Sequence, residues 1–169
     1  MELSSTLLKS MIAAAPKESD RSYLNGVHVA NGVIEVTNGH YLFMTDVDTG
    51  DESRRFTLIG DIPDDSIITK LNFDKEVATH YDYRNSIVGI SHINQLDGKY
   101  PDCSKLVKSF EAVDVESVSF SSEYAGLPFT LFGASCITLE FGGQKGMAKA
   151  TFMTYELKEV EMYLMPMRA

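Results

Sequence analysis

The sequence predicts an α+β fold made of repeated units, each a helix followed by three antiparallel strands. Apolar residues at helical spacing open the chain, and segments of alternating apolar and polar residues follow between Arg21 and Val47. Asn38-Gly39 separates two of these segments, and this pair can supply the positive φ angles of a tight hairpin. The same order of elements recurs up to three times, about every 50 to 60 residues. We therefore expect helices packed on one face of curved antiparallel sheets.

The first unit contains a helix and a hairpin. Ser4 or Ser5 can cap the helix, which runs to the region of Ala15, and Pro16 ends it. The hairpin is expected to end in an exposed polar tip at His40-Tyr41. Strands are predicted near residues 22–30, 32–37, 40–47 and 54–60.

The second unit has one ambiguous segment. Residues 64–71 suit a short helix, which an Asp or Ser at 64–66 can cap. The run Ile67-Ile68-Thr69 equally suits a strand, but we prefer the helix. Strands are predicted near residues 75–82, 86–91 and 92–97, with Tyr83-Arg84-Asn85 as a turn.

The third unit follows a polar connection at residues 103–116 and a strand at 117–120. The helix expected next contains Gly126 and Pro128, which cost about 1 and 3 kcal/mol inside a helix. We therefore expect this helix to be short, to start late with Pro128 in its first turn, or to be kinked. Strands are predicted near residues 135–141, 146–153 and 159–166.

Composition limits the class of protein. A chain of 169 residues can bury a core without disulfides, and its two cysteines, Cys103 and Cys136, have neither redox nor metal-ligand spacing. The net charge of −9 argues against nonspecific wrapping of nucleic acid over the whole surface. No apolar run approaches the ~18 residues of a transmembrane helix, and the amino-terminal stretch lacks the basic leader of a signal peptide. We expect a soluble, cytoplasmic protein without a membrane partner.

The sequence contains no pattern typical of an active site. None of the four histidines, at positions 28, 40, 80 and 92, forms an i,i+4 pair with a metal-binding partner. Neither a Gly-x-Ser-x-Gly elbow nor a phosphate-binding Gly-x-x-x-x-Gly-Lys loop occurs. We therefore expect no enzyme activity, catalytic residues, metal site or cofactor.

Three separated parts of the sequence resemble one family, the bacterial sliding clamp, which is the β subunit of DNA polymerase III. They are RSYLNGVHV with VTNGHYL at Arg21–Val29 and Val36–Leu42, LDGKYPDCSKLV at Leu96–Val107, and YLMPMRA at Tyr163–Ala169. They occur in the family's order and on the expected strands or loops. By this resemblance, residues 1–108 correspond to a whole middle domain and residues 109–169 to the second half of the last domain.

The resemblance implies a cleft that binds a short peptide from a polymerase or another replication protein. The residues that would line the cleft are Leu24, Thr37, Gly39, His40, Leu42, Pro101, Leu106, Met165, Pro166, Met167 and Arg168. Methionine suits surfaces that accept related but unequal side chains. The alternative is that Met165 and Met167 are core residues on one face of the last strand. The DNA-facing residues implied are Lys9, Lys17 and Arg21.

The expected function is that of a non-enzymatic, clamp-like accessory protein of DNA replication, acting as a processivity factor. The alternative is a regulatory or decoy module that competes for the same peptides and does not encircle DNA. Only Lys9 and Lys17 are basic near the first helix, and the helix predicted after Phe120 contains no basic residue. Duplex DNA as a partner therefore stays open. A chain of this length would need several copies to close a ring, so a homo-oligomer stays open as well.

Overall fold

The computed structural model describes residues 1–17, 20–48, 53–115, 118–143 and 146–167. The chain forms two compact units: unit 1 comprises Met1–Val36 and Asp46–Tyr100, and unit 2 comprises Thr37–Thr45 and Pro101–Ala169. These bounds differ from the predicted division at residue 108, and the assignment of each part to a clamp domain stays a prediction.

The described residues form eleven strands and four α-helices. In chain order they are β1 (Glu2–Ser4), α1 (Ser5–Ala14), β2 (Val27–Ala30), β3 (Val33–Thr37), β4 (Tyr41–Asp46), β5 (Arg54–Ile59), β6 (Ile68–Asn72), β7 (Val77–Tyr81), β8 (Ile87–Gln95), α2 (Cys103–Lys108), α3 (Ser122–Ala125), α4 (Leu127–Phe132), β9 (Thr138–Phe141), β10 (Ala148–Met153) and β11 (Glu159–Leu164). A single 3₁₀ turn at Ser22–Leu24 precedes β2. No described helix is long and apolar enough to cross a lipid bilayer.

Unit 1 has an antiparallel sheet in the order β1-β6-β7-β8-β5-β2-β3. Helix α1 begins as predicted, because the Ser4 side chain accepts a hydrogen bond from the Leu7 N–H at 3.2 Å. The helix ends where Ala15 becomes extended before Pro16. Its Leu8 and Met11 side chains are fully buried. The short strand β1, which pairs with β6, was not predicted from the sequence.

The tight turn of unit 1 lies at Asn31-Gly32. Both residues have positive φ, 52° and 76°, which matches the two-residue turn that favours Asn-Gly. At Asn38-Gly39, where we predicted this geometry, only Gly39 has a positive φ. The prediction for Asn38-Gly39 is therefore wrong. Both Asn-Gly pairs lie between strand-like segments, so the local pattern does not distinguish them.

Two further predictions for unit 1 are wrong. Residues 64–71 form no helix: Ser66 donates a backbone hydrogen bond to Pro63 at 3.1 Å in a turn, and β6 begins at Ile68. The β-branched run Ile67-Ile68-Thr69 suits this strand, which pairs with β1 and β7, so the predicted second helix of the repeat is absent. The strands predicted near 86–91 and 92–97 are one strand, β8, because burial continues to alternate through Ser91, His92 and Ile93.

Unit 2 has an antiparallel sheet in the order β4-β11-β10-β9. Three phenylalanine rings form its core: Phe132 lies 5.0 Å from Phe43 and 5.4 Å from Phe152, measured between ring centroids. Two short helices, α3 and α4, meet at Gly126, and Pro128 lies in the first turn of α4, as the sequence allowed. Helix α2 occupies part of the predicted polar connection. Of the strand predicted at 117–120, residues 118–120 are not in a strand, and Ser117 lies outside the described residues.

Candidate functional site

The tip at residues 37–41 is closed by side chains of its own segment. The Asn38 Oδ1 atom accepts hydrogen bonds from the His40 N–H at 2.8 Å and from the Tyr41 N–H at 3.0 Å. The Thr37 hydroxyl donates to the Tyr41 carbonyl oxygen and accepts from the Gly39 N–H. These bonds fix the backbone of the tip. His40 is exposed, as predicted, whereas Tyr41 is buried at 9% exposure.

The last strand positions the carboxyl-terminal segment beside this tip. In the register of β4 and β11, Leu42 pairs with Tyr163 and Tyr41 pairs with Leu164. The pairing continues beyond the strand, because the Met165 N–H donates to the His40 carbonyl oxygen at 2.9 Å. Met167 then donates its N–H to the Ser119 carbonyl oxygen, also at 2.9 Å. Two of the three predicted stretches, the tip and the terminal segment, therefore meet within unit 2.

The side chains of this terminal segment are accessible. Met165 and Pro166 are half-buried, and Met167 is 59% exposed. The alternative prediction, that both methionines are core residues, does not describe Met167. A half-buried methionine beside an exposed one offers flexible apolar surface at the protein exterior.

Tyr124, on α3, adds an aromatic side chain that was not predicted from the sequence. Its ring stacks on the His40 ring with centroids 5.8 Å apart and planes inclined by 18°. It also meets the Tyr41 ring edge-on at 5.4 Å. Burial raises the pKa of Tyr41, and the neighbouring Tyr124 and Glu123 raise it further, so its hydroxyl stays neutral at neutral pH. Nothing local in the sequence links Tyr124 to His40, because the two lie in distant segments.

The remaining predicted peptide contacts differ in accessibility. Pro101 and Leu106 are half-buried, on either side of the start of α2. The side chains of Thr37 and Leu42 are buried, with 7% and 2% exposure, and Leu24 of unit 1 is buried at 3%. These three side chains lie beneath the surface and support the backbone around them. Arg168 lies outside the described residues.

The predicted DNA-facing residues lie in a region of mixed charge. The Lys9 Nζ atom forms an ion pair with the Asp64 Oδ1 atom at 2.8 Å. This hydrogen bond and the charge of Lys9 lower the pKa of Asp64. Lys9 and Lys17 line a groove between α1 and residues 58–64, and the opposite wall contributes Asp61 and Asp64. Lys17 and Arg21 are exposed.

The part of the chain that the structure describes contains no group of three or more His, Cys, Asp or Glu side chains that could hold a metal ion. The hydrogen bonds of the candidate site come from backbone groups, hydroxyls and an amide, and its surface comes from aromatic rings and thioethers. Such an arrangement suits recognition of a ligand by shape and hydrogen bonding.

The sequence matches no protein-family model and no curated protein. Solved structures of bacterial sliding clamps match the fold along almost the whole chain. A Helicobacter pylori β clamp is 11% identical, with a TM-score of 0.66 over 98% of this chain and 64% of the clamp. The Bacillus subtilis sliding clamp is 14% identical, with a TM-score of 0.64 over 100% of this chain and 64% of the clamp.

A third structure, the H. pylori β clamp bound to a DNA ligase peptide, is 10% identical, with a TM-score of 0.61 over 97% of this chain and 63% of that one. This chain therefore spans slightly less than two thirds of the length of these clamps. The predicted α+β, clamp-like fold is confirmed, and the chain has the fold of the bacterial DNA polymerase III β sliding clamp over that length.

Proposed function

We propose that this protein is a sliding-clamp-like accessory protein of DNA replication, located in the cytoplasm, that binds short clamp-recognition peptides of DNA polymerases or other replication proteins. The observation that carries the proposal is the meeting of the 37–41 tip, Tyr124 and the terminal Met165–Met167 segment within unit 2. A clamp of the same fold binds a DNA ligase peptide. As a processivity factor, the protein would act at this site through binding.

The exposed side chains of this site suit an extended peptide with apolar anchors. Met167 and Met165 can adapt to aliphatic or aromatic side chains at little cost, because a thioether has several rotatable bonds. The stacked rings of His40 and Tyr124 form a flat aromatic surface with polar edges. Fixed backbone groups around the tip can orient the peptide's own polar atoms.

Fluorescence polarisation with a labelled polymerase-derived clamp-binding peptide tests this site. Met165→Ala and His40→Ala are each expected to weaken binding roughly fivefold or more, the loss typical of an important interface side chain. Met153→Ala is the matched control, because Met153 is 45% exposed in the same unit but lies at the end of β10 that pairs with Glu159, away from Leu164. No binding at high micromolar protein, or equal affinity for all variants, would exclude this peptide site.

A second candidate function is a regulatory or decoy module that binds the same peptides without encircling DNA. The Lys9–Asp64 ion pair favours it, because it neutralises one of the few cations proposed to face DNA. Each phosphate neutralised by a lysine or arginine contributes to salt-sensitive affinity, so pairing of Lys9 with Asp64 lowers what this face can contribute to DNA binding.

Two solution measurements separate these functions. A processivity factor should bind duplex DNA with an affinity that falls as salt rises, and should form a defined oligomer in light scattering. A decoy should be monomeric and show no salt-sensitive affinity for DNA. Both functions require peptide binding, so the fluorescence polarisation test of the peptide site is independent of these two measurements.

A further inference from the structure

Three side chains of unit 1 form a hydrogen-bonded chain centred on His28. The Nδ1 atom of His28 lies 2.8 Å from the Glu35 Oε1 atom, and its Nε2 atom lies 2.9 Å from the Ser53 Oγ atom. An ionised carboxylate can only accept, so Nδ1 carries the proton and its N–H donates a hydrogen bond to Glu35. In the neutral ring, Nε2 is then the acceptor, and the Ser53 hydroxyl donates to it.

The strands of unit 1 fix this arrangement. His28 on β2 lies directly opposite Glu35 on β3 and, on its other side, opposite Arg55 on β5. The Arg55 guanidinium points away to the carbonyl oxygens of Ser22 and Asp97. The Tyr100 ring stacks on the imidazole, with centroids 4.4 Å apart and planes inclined by 20°. The imidazole therefore has one orientation, set by a cross-strand acid and an aromatic face.

The three side chains differ in their exposure to solvent. The side chains of His28 and Glu35 are 11% and 12% exposed, whereas Ser53 is exposed. An oriented base behind an accessible hydroxyl, with a carboxylate behind the base, is the arrangement that activates a serine for attack on a carbonyl carbon.

We propose that Ser53, His28 and Glu35 form a Ser-His-Glu triad, and that Ser53 is an activated nucleophile toward carboxylic esters. The Ser53 Oγ atom attacks the carbonyl carbon while His28 Nε2 takes the hydroxyl proton. When the bond to the leaving oxygen breaks, Nε2 returns this proton to it, which releases an alcohol and leaves an acyl group on Ser53. Water then attacks the acyl carbon by the same proton route and releases the carboxylic acid. Glu35 acts as a positioning residue that stabilises the imidazolium.

A second serine–histidine pair in unit 1 shows what distinguishes this triad. Ser91 Oγ lies 2.7 Å from His80 Nε2, but Ser91 is only 3% exposed, and the other nitrogen of His80 meets the Thr69 hydroxyl instead of a carboxylate. A substrate cannot reach the buried Ser91 hydroxyl, and among the described residues no carboxylate contacts His80, so this pair is a structural contact.

Labelling with a fluorophosphonate, followed by peptide mapping in a mass spectrometer, tests the proposal on the full chain. Ser104 is an internal control, because it is exposed and donates to the Asp102 carboxylate at 2.6 Å. Ser53 should react roughly 100-fold faster than Ser104, the usual gain from a positioned general base. Release of p-nitrophenol from p-nitrophenyl acetate should fall in Ser53→Ala, while affinity for the clamp-binding peptide stays unchanged.

Variants of His28 and Glu35 test whether Ser53 reacts quickly because it is activated or only because it is exposed. Circular dichroism first checks that each variant folds. His28→Asn should reduce Ser53 labelling to the rate of Ser104. Glu35→Gln, which keeps an acceptor for Nδ1 but removes the charge, should slow labelling, because the imidazolium that forms during attack loses its neighbouring carboxylate, and Glu35→Asp should recover part of the rate. Equal rates for Ser53 and Ser104 in the unaltered protein, or an unchanged labelling rate in Glu35→Gln, would overturn the triad.

Discussion

The backbone N–H of Met165 donates a hydrogen bond to the carbonyl oxygen of His40 at 2.9 Å. Because backbone atoms make this contact, the position of the terminal segment does not depend on the methionine side chain. Replacing a half-buried side chain removes little core packing. The fold and the proposed peptide contact of Met165 can therefore be tested separately.

We expect Met165→Ala to lower the free energy of unfolding by about 1 kcal/mol or less. The neighbouring Leu164 is 5% exposed, and Leu164→Ala should cost about 2 to 5 kcal/mol. Urea unfolding of both variants measures the difference. Similar losses for the two substitutions would mean that the Met165 side chain belongs to the core.

A second prediction concerns the amide of Asn38. Its Oδ1 atom satisfies two backbone N–H groups of the tip, so Asn38→Ala should destabilise unit 2 by about 1 to 2 kcal/mol. Asn38→Asp keeps the acceptor and should change stability by less than about 0.5 kcal/mol. Thermal unfolding of the two variants in parallel checks this, and an equal loss in both would show that the amide nitrogen matters instead.

Local signals in the sequence predicted most elements, because caps, turns and alternation act over a few residues. The Ser4 cap and the late start at Pro128 are examples. The errors arose where two local signals competed, as in residues 64–71, where possible caps preceded a β-branched run. Pairing with β1 and β7 resolves that competition in favour of a strand.

The candidate site was predictable only in part. The family-like motifs identified the tip and the terminal segment, but the ring of Tyr124 reaches His40 only through the packing of α3. The same limit applies to the Lys9–Asp64 ion pair and to the chain from Ser53 through His28 to Glu35. The Lys9–Asp64 and His28–Ser53 contacts join segments at least 25 residues apart, and the closer His28–Glu35 pair depends on the register of β2 and β3, so no spacing rule predicts them.

A third prediction compares two glycines with positive φ in unit 1. A Cβ atom on Gly26, whose φ is +81°, would lie 2.6 Å from the Phe56 carbonyl oxygen. On Gly32, whose φ is +76°, it would lie 3.6 Å from the nearest atom, the Val47 carbonyl oxygen. Gly32→Ala should therefore cost only the backbone strain, about 1 to 2 kcal/mol. Gly26→Ala should cost clearly more, because backbone must move, and denaturant unfolding that ranks the two equally would contradict this.

The last prediction concerns pH and the buried His80 of unit 1. Its Nε2 atom contacts the Ser91 hydroxyl, which in turn donates to the Asp61 carbonyl oxygen, and its Nδ1 atom contacts the Thr69 hydroxyl. Burial lowers the pKa of His80 below its ordinary value of 6.5, and the positive charge of Lys9 lowers it further. The folded protein therefore binds this proton less readily than the unfolded chain does.

The sign of the effect follows from proton linkage. Below pH 6.5 the unfolded chain takes up more protons at His80 than the folded protein, so the free energy of unfolding should fall as the pH decreases from 6.5. Well above pH 6.5, His80 is neutral in both states, so its contribution to the free energy of unfolding should not change with pH. The free energy of unfolding can be measured with urea at a series of pH values for the unaltered protein and for His80→Gln. Both proteins contain the same carboxylates, so the difference between their pH profiles is due to His80. Since glutamine does not titrate, the variant should lose less stability between neutral pH and about pH 5. Parallel pH profiles for the two proteins would show that His80 is not protonated on unfolding in this range.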